Sequence, residues 1–434
     1  MSPAKNQKPL WLGDGTINEV LFCREFLKQH PMCSLGGSFF SKEGKVSDES
    51  LLKKQIYEML KPYISTRVTK RVTNLLDVLR MECCCEDLPV QQDRIHMRNG
   101  TLFLDGHFSP NKEYCRNRLA VDYNPNAAAP EKWLSFLGQL LEEEDIPTLQ
   151  EYLGYCLIPS TKAQKMLILL GNGGEGKSRI GLILERMLGE SLIMDSLQKI
   201  ETNRFARADL EHRLLMVDDD LDMNALPKTN YLKSIVTAET RMDLEKKGSQ
   251  SYQGQLYVRF LCFGNGALTS VNDHSHGFYR RQLVLYTKAP APNRRDDPFL
   301  AEKLAEELEG IFLWCLEGLQ RLIANHFQFT VSTQTQERSD SICSNANSVE
   351  AFLSSTGYFE FHADAECWCK DLYDIYCLFC EDNAFRPISS KQLTMELNKY
   401  TKQYNLESTN NIYLRDGRRV RGFLGIEPRT RILF

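Results

Sequence analysis

The sequence predicts an α/β fold organised around a mostly parallel sheet, and three observations carry that expectation. From Lys165 onward, apolar runs alternate with helical segments; MLILLG, LLMVDDD and YVRFLCFGN each read as a strand covered on both faces. The first run passes straight into a glycine-rich loop and then a helix. The second ends in three consecutive aspartates. Together these mark residues 161–330 as a central domain, with further domains before and after it.

Size and composition agree with several domains. A chain of 434 residues exceeds what one core usually supports, and 42% hydrophobic with 25% charged residues is the balance of a globular protein. Mean hydropathy is −0.38, and no apolar run approaches the roughly 20 residues that cross a bilayer, so no membrane partner is expected. The opening MSPAKNQKPLWLGDG lacks the pattern of a secretory signal, which points to the cytoplasm. The fourteen cysteines, including the run Cys83-Cys84-Cys85, do not form the framework of a small secreted domain and read as reduced thiols. A net charge of −4 exerts no general pull on nucleic acid. Any DNA contact must be local, and the C-terminus is the basic end: Arg386 to Phe434 holds ten Lys and Arg against four Asp and Glu.

Ahead of the central domain, residues 16–82 place Ile17, Val20, Leu21, Phe26 and Leu27, then Leu51, Leu52, Ile56 and Leu60, at helical spacing, with a break at Gly36-Gly37. IHMRNGTLFLDGHFSP follows, its strand-like runs punctuated by the hairpin signals Asn99-Gly100 and Asp105-Gly106. Residues 1–129 are therefore expected to be a helical domain ending in a small sheet. Between Pro130 and Ile158 apolar residues recur three and four apart on two segments divided at Pro147, predicting a helical collar over 130–160. Its acidic run Glu142 to Asp145 reads as a solvated helix end. After Pro298 a helical stretch reaches Phe327, and the polar VSTQTQERSDSICSNANS near 330–348 resists burial and marks a boundary. Residues 345–434 form the last domain. There Cys367, Cys369, Cys377 and Cys380 have poor spacing for a zinc ribbon, and Trp368, Leu372, Ile375, Tyr376 and Phe379 fit one face of a helix holding both cysteine pairs.

The chemistry is most legible at GNGGEGKS. Gly171, Asn172, Gly173, Gly174, Glu175, Gly176, Lys177 and Ser178 fit G-x-x-x-x-G-K-[ST] between a strand and a helix. Glycines allow backbone N–H groups to turn inward onto phosphate oxygens. Lys177 is then expected to reach the β and γ phosphates of ATP, and Ser178 to ligate Mg2+. Forty-one residues after Lys177, Leu214 to Val217 lead into Asp218-Asp219-Asp220, the acidic partner such a loop needs. Asp218 is expected to hold the Mg2+ through its waters and Asp219 to polarise the attacking water, with Asp220 as the alternative base.

YVRFLCFGN ends in Asn265, and GFYRR fifteen residues on supplies Arg280 and Arg281. With the preceding motifs this resembles the superfamily III helicases, and more closely the helicase part of the phage and plasmid primase-helicases and their poxvirus relatives. RNGTLFLDGHFSP, NRLAVDYNPNA and LQEYLGYCLIP look like that family's linker and collar, YLKSIVTAETRMDLEKK like the segment after its acidic strand, and KDLYDIYCLFCEDNAFRPISSKQLTMEL like its winged-helix domain. The resemblance implies a P-loop NTPase of the AAA+ type assembled as a hexameric ring that unwinds DNA 3′ to 5′ during replication of a phage, plasmid or mobile element. It implies that Asn265 senses the γ-phosphate and that Arg280 or Arg281 completes a neighbouring subunit's site, where a guanidinium can stabilise charge on phosphoryl oxygens. No polymerase-type primase region precedes this part, so a separate primase is an expected partner and priming is not.

The polar segment EKKGSQSYQGQ, Glu245 to Gln255, reads as a hairpin and resembles the one lining the channel of superfamily III rings. Lys246 and Lys247 would grip single-stranded DNA through its phosphates there; without the resemblance they read as a solvated pair. In IYLRDGRRVRGFLGI, Arg415, Arg418, Arg419 and Arg421 surround a turn between two strands, either a basic wing for duplex DNA or ordinary charged surface. A replication initiator or loader that remodels DNA without processive unwinding is the alternative to a helicase. A small-molecule kinase fits the acidic block and the Asn265 to Arg280 spacing poorly.

Overall fold

A computed structural model describes residues 8–14, 16–46, 48–221, 229–248, 250–265, 276–290, 297–346, 348–355, 357–383, 385, 387–398, 400–414 and 417–429. The chain divides into two units, residues 1–267 with 281–335, and residues 268–280 with 336–434.

In the first unit, β1 (Met166–Gly171), β2 (Leu192–Met194), β3 (Leu215–Leu221), β4 (Arg259–Asn265) and β5 (Gln282–Tyr286) form one parallel sheet in the order β5-β1-β4-β3-β2. The fold class is mixed α/β. Met166 to Leu170 and Arg259 to Gly264 are buried without a break, which explains their continuous apolar texture. Even Arg259 is inside; its two terminal guanidinium nitrogens donate to the carbonyls of Ser160, Tyr257 and Ile158 and the group stacks on Tyr155, which offsets much of the cost of burying the charge.

The helices around the sheet include α1 (Glu131–Leu140), α2 (Ile146–Tyr155), α3 (Ser178–Leu188), α4 (Leu197–Thr202) and α5 (Leu308–Ala324). Pro147 lies in the first turn of α2, where its missing N–H costs nothing, and the break expected there falls instead at Leu141 to Asp145. Thr148 to Tyr155 are all buried. α2 and α5 approach through Gly154 and Gly318: a Cβ on Gly154 would lie 2.5 Å from the Leu319 nitrogen, and one on Gly318 2.9 Å from Gln150 Cγ. The acidic end expected in solvent is partly inside, since Asp145 is 1% exposed and accepts the hydroxyls of Ser332 at 2.7 Å and Thr335 at 2.9 Å.

Helices Glu19–Gln29, Glu49–Leu60 and Val68–Glu82 enclose an N-terminal core of Trp11, Phe22, Phe26, Leu75 and Leu79. The stretch expected to be helical throughout is interrupted by an antiparallel sheet of Met32–Leu35, Ser38–Ser41 and Gly44–Lys45. Gly36 and Gly37 make the turn with φ of 56° and 81°, a conformation that costs other residues energy. Arg94–Met97, Gly100–Phe103 and Phe108–Ser109 form the second small sheet.

In the second unit, helices Ser348–Ser354, Cys369–Asp382 and Ser390–Leu397 pack with the antiparallel strands Glu366–Trp368, Arg419–Leu424 and Glu407–Tyr413 around Phe352, Tyr376, Phe379 and Phe423. Cys367 and Trp368 belong to the strand, so the helix carries Cys369, Cys377 and Cys380 but not both pairs. The polar stretch expected as a linker contains helix Thr333–Ala346; polarity opposes burial, not helix formation. Among the described residues no helix is long and apolar enough to cross a membrane.

Candidate functional site

The loop after β1 turns through three glycines with positive φ, Gly173 at 99°, Gly174 at 81° and Gly176 at 98°, and hands the chain to α3 at Ser178. It opens onto a cavity of about 770 Å³ lined by Gly173 to Arg179 together with Asp219, Phe263 and Asn265. Adjacent parallel strands end level with one another: Asn265, last residue of β4, is opposite Gly171, last of β1. That register brings two distant motifs together, and Lys177 Nζ donates to Asn265 Oδ1 at 3.2 Å. Lys177 also pairs with Glu175 at 2.8 Å, and both side chains are buried. Gly171 makes room for this pair, since a Cβ there would sit 2.6 Å from Lys177 Nζ.

The three aspartates do not share one direction. Side chains alternate along a strand, and Val217 faces α3, where a Cβ on Gly181 would meet its Cγ1 at 3.4 Å. Asp219, two residues on, is exposed and lines the cavity. Asp218 points the other way. It is 5% exposed and accepts the Leu197 N–H at 2.8 Å and the Asp220 N–H at 3.3 Å, tying β3 to the start of α4. Burial raises its pKa above the ordinary value, with those two N–H groups opposing the shift. Asp218, expected to hold the Mg2+ through its waters, is thus buried on the Leu197 and Asp220 N–H groups and is not part of the cavity lining, whereas Asp219 is.

Arg281 precedes β5, and its carbonyl accepts the Met166 N–H at 2.8 Å. It lies at the edge of the sheet opposite the loop, six residues or roughly 20 Å from Gly171 along the strand direction. Arg280 is exposed in the second unit. Neither belongs to the cavity wall.

Strands Met242–Leu244 and Tyr252–Gly254 pair antiparallel, placing Lys246 and Lys247 between them. Their environments differ. Both are exposed, but Lys246 pairs with Glu211 at 2.9 Å and lies over the Tyr252 ring. In the C-terminal hairpin, Arg418 and Arg421 are exposed, while Arg419 donates to the Asn410 carbonyl at 2.9 Å and to the Asn411 side chain, bracing the turn. Arg415 lies outside the described residues. Sequence reasoning missed Asp297, Pro298 and Leu300, which close the far side of the cavity; their texture there is that of any loop entering a helix.

A model described as a family of unknown function, DUF5906, matches residues 169–281, from β1 to Arg281. No curated protein matches the chain. Among solved structures, the apo structure of the NrS-1 C-terminal region (305–718) is similar at 11% identity and TM-score 0.56, with 97% of this chain and 100% of that one covered. Two A-form apo structures of the same region give 12% identity, one with TM-score 0.52 over 97% and 100% of the two chains, the other with 0.53 over 94% and 99%. At such identity the likeness establishes a shared fold.

Proposed function

We propose that this protein is an ATP-driven DNA helicase of the superfamily III, AAA+ type, a homo-oligomeric ring in the replication machinery of a phage, plasmid or mobile element. The observation that carries the reading is the meeting of Lys177 with Asn265 at 3.2 Å on a cavity whose wall includes Asp219. A cation from the loop after β1, an amide from the end of β4 and a carboxylate from β3 face one space, as recognition of a γ-phosphate and its metal requires.

The donor set fits Mg2+-ATP: the loop amides and Lys177 match phosphate oxygens, and the Ser178 hydroxyl with the Asp219 carboxylate matches a hard divalent cation. Bound Mg2+-ATP would supply the phosphoryl group and offset its charge. Asp219, which lines the cavity, also takes the water-orienting role. Arg280 or Arg281 acts on a neighbouring subunit; the roughly 20 Å between Arg281 and its own loop supports this, because one arginine side chain does not span it. Lys247 contacts single-stranded DNA, and Arg418 and Arg421 of a winged helix contact duplex DNA.

Single-stranded DNA should stimulate ATP hydrolysis, and the wild-type protein, unlike Lys177→Ala, should displace a labelled strand from a forked duplex. Stimulated hydrolysis without displacement would favour the initiator or loader. Absence of hydrolysis would overturn the reading.

A further inference from the structure

The phosphate-binding loop already holds an anion. One Glu175 carboxylate oxygen accepts the Asn172 N–H, and the other accepts the Gly173 N–H at 3.1 Å and the Lys177 ammonium at 2.8 Å. These are loop amides and the lysine to which a nucleotide phosphate is assigned, so the contact set of the carboxylate is that of a phosphate. The side chain is 2% exposed, so it fills the seat instead of hovering at its rim. Burial pushes the Glu175 carboxyl up, but Lys177 and the loop amides outweigh burial and hold it below its ordinary value.

We propose that Glu175 is a built-in competitor for the phosphate seat, which nucleotide must expel before it can bind. The inference rests on the nucleotide-site reading and deepens it. Two anions cannot share one cation and one set of amides in a desolvated site without strong mutual repulsion. An exit lies beside the loop. A second cavity, about 430 Å³, is lined by Glu175 together with Lys132, Lys303, Glu131 and Asp297; Lys132 pairs with the exposed Glu306 and Lys303 with Asp297, each at 2.6 Å. Expulsion into it would couple an occupied nucleotide site to α1 and to helix Leu300–Ala305. It would also favour ligands with several contacts over free phosphate, because a single small anion gains little beyond what the carboxylate gives up.

The experiment measures binding of fluorescent ADP and of a nonhydrolysable ATP analogue, with Mg2+, to wild type, Glu175→Gln, Glu175→Ala and Lys177→Ala. Circular dichroism confirms that each protein is folded. A competitor that occupies the seat most of the time reduces apparent affinity by the fraction of competent sites, so both Glu175 variants should bind about tenfold or more tightly than wild type. Their melting temperature without nucleotide should fall while the increment on adding nucleotide grows. A merely structural Glu175 would lower the first without raising the second, and that outcome overturns the proposal. Affinity within twofold of wild type, or weaker, overturns it while leaving the nucleotide site intact. Binding by the Glu175 variants alone would support it most strongly. Binding by none of the folded proteins would remove the nucleotide site and the proposal together, and unchanged binding by Lys177→Ala would remove the shared seat.

Discussion

Asp218 and Asp219 are neighbours with opposite surroundings, and exchanging each for Asn should separate structure from chemistry. Asp218 is 5% exposed, with its two oxygens taken by the N–H groups of Leu197 at 2.8 Å and Asp220 at 3.3 Å. An amide keeps one acceptor but turns an NH2 toward the other N–H, losing a charge-assisted bond worth about 2 kcal/mol. Removing a charge from a site whose burial disfavours it returns part of that, so the net cost is about 1–2 kcal/mol. For a unit of this size each kcal/mol lowers the melting temperature by about 2 °C, giving a drop of about 2–4 °C. Nucleotide affinity should change less than about twofold. Asp219→Asn removes an exposed carboxylate and should leave the melting temperature within about 1 °C. It should weaken Mg2+-dependent nucleotide binding about tenfold or more and reduce hydrolysis further, since a neutral amide is a poor substitute on a hard cation. Thermal melts with and without Mg2+-nucleotide and a fluorescent-nucleotide titration measure both effects. Loss of metal-dependent binding in Asp218→Asn at unchanged melting temperature, with Asp219→Asn binding normally, would refute the assignment by strand face.

Mixing Arg280→Ala with Lys177→Ala should restore part of the ATPase activity that each lacks, because some interfaces pair an intact loop with an intact arginine; trans arginines contribute about 10³ in rate. No recovery at any ratio, with subunit exchange verified, would refute a shared site. Lys247→Ala should preserve basal ATPase and lose most stimulation by single-stranded DNA, whereas Lys246→Ala should mainly loosen the Glu211 contact and keep stimulation; the reverse pattern in a DNA titration would move the DNA track to Lys246. His96 is held near a pKa of about 4, by burial first and by Arg118 second, against 6.5 when unfolded. As pH falls from 6.5 to 4 only the unfolded chain takes the proton, so stability should decline by about 2 kcal/mol between pH 7 and 5 from this residue. Denaturation of His96→Gln should show a correspondingly shallower decline, and equal slopes would place the acid sensitivity elsewhere.

The sequence by itself determined what is local in the chain. Strand, glycine loop and helix are contiguous between Met166 and Leu188, so periodicity and the positive-φ demands of Gly173, Gly174 and Gly176 were readable in order. The hairpins at Asn99-Gly100 and Asp105-Gly106 were legible for the same reason, and the one at Gly36-Gly37 was read only as a break because its strands are four residues long. What only the tertiary structure decided depends on neighbours that the sequence does not name. A block of three aspartates does not reveal which side of β3 is covered by α3, and a shift of one residue exchanges the faces. That choice gave Asp219 to the cavity and Asp218 to the start of α4. Lys246 and Lys247 are likewise equivalent in composition, until Glu211, far back in the chain, neutralises one of them. The parallel register of β1 with β4 set Asn265 beside Lys177, and that of β1 with β5 set Arg281 at the opposite edge, because hydrogen bonding between strands fixes height along the sheet whatever their separation in sequence.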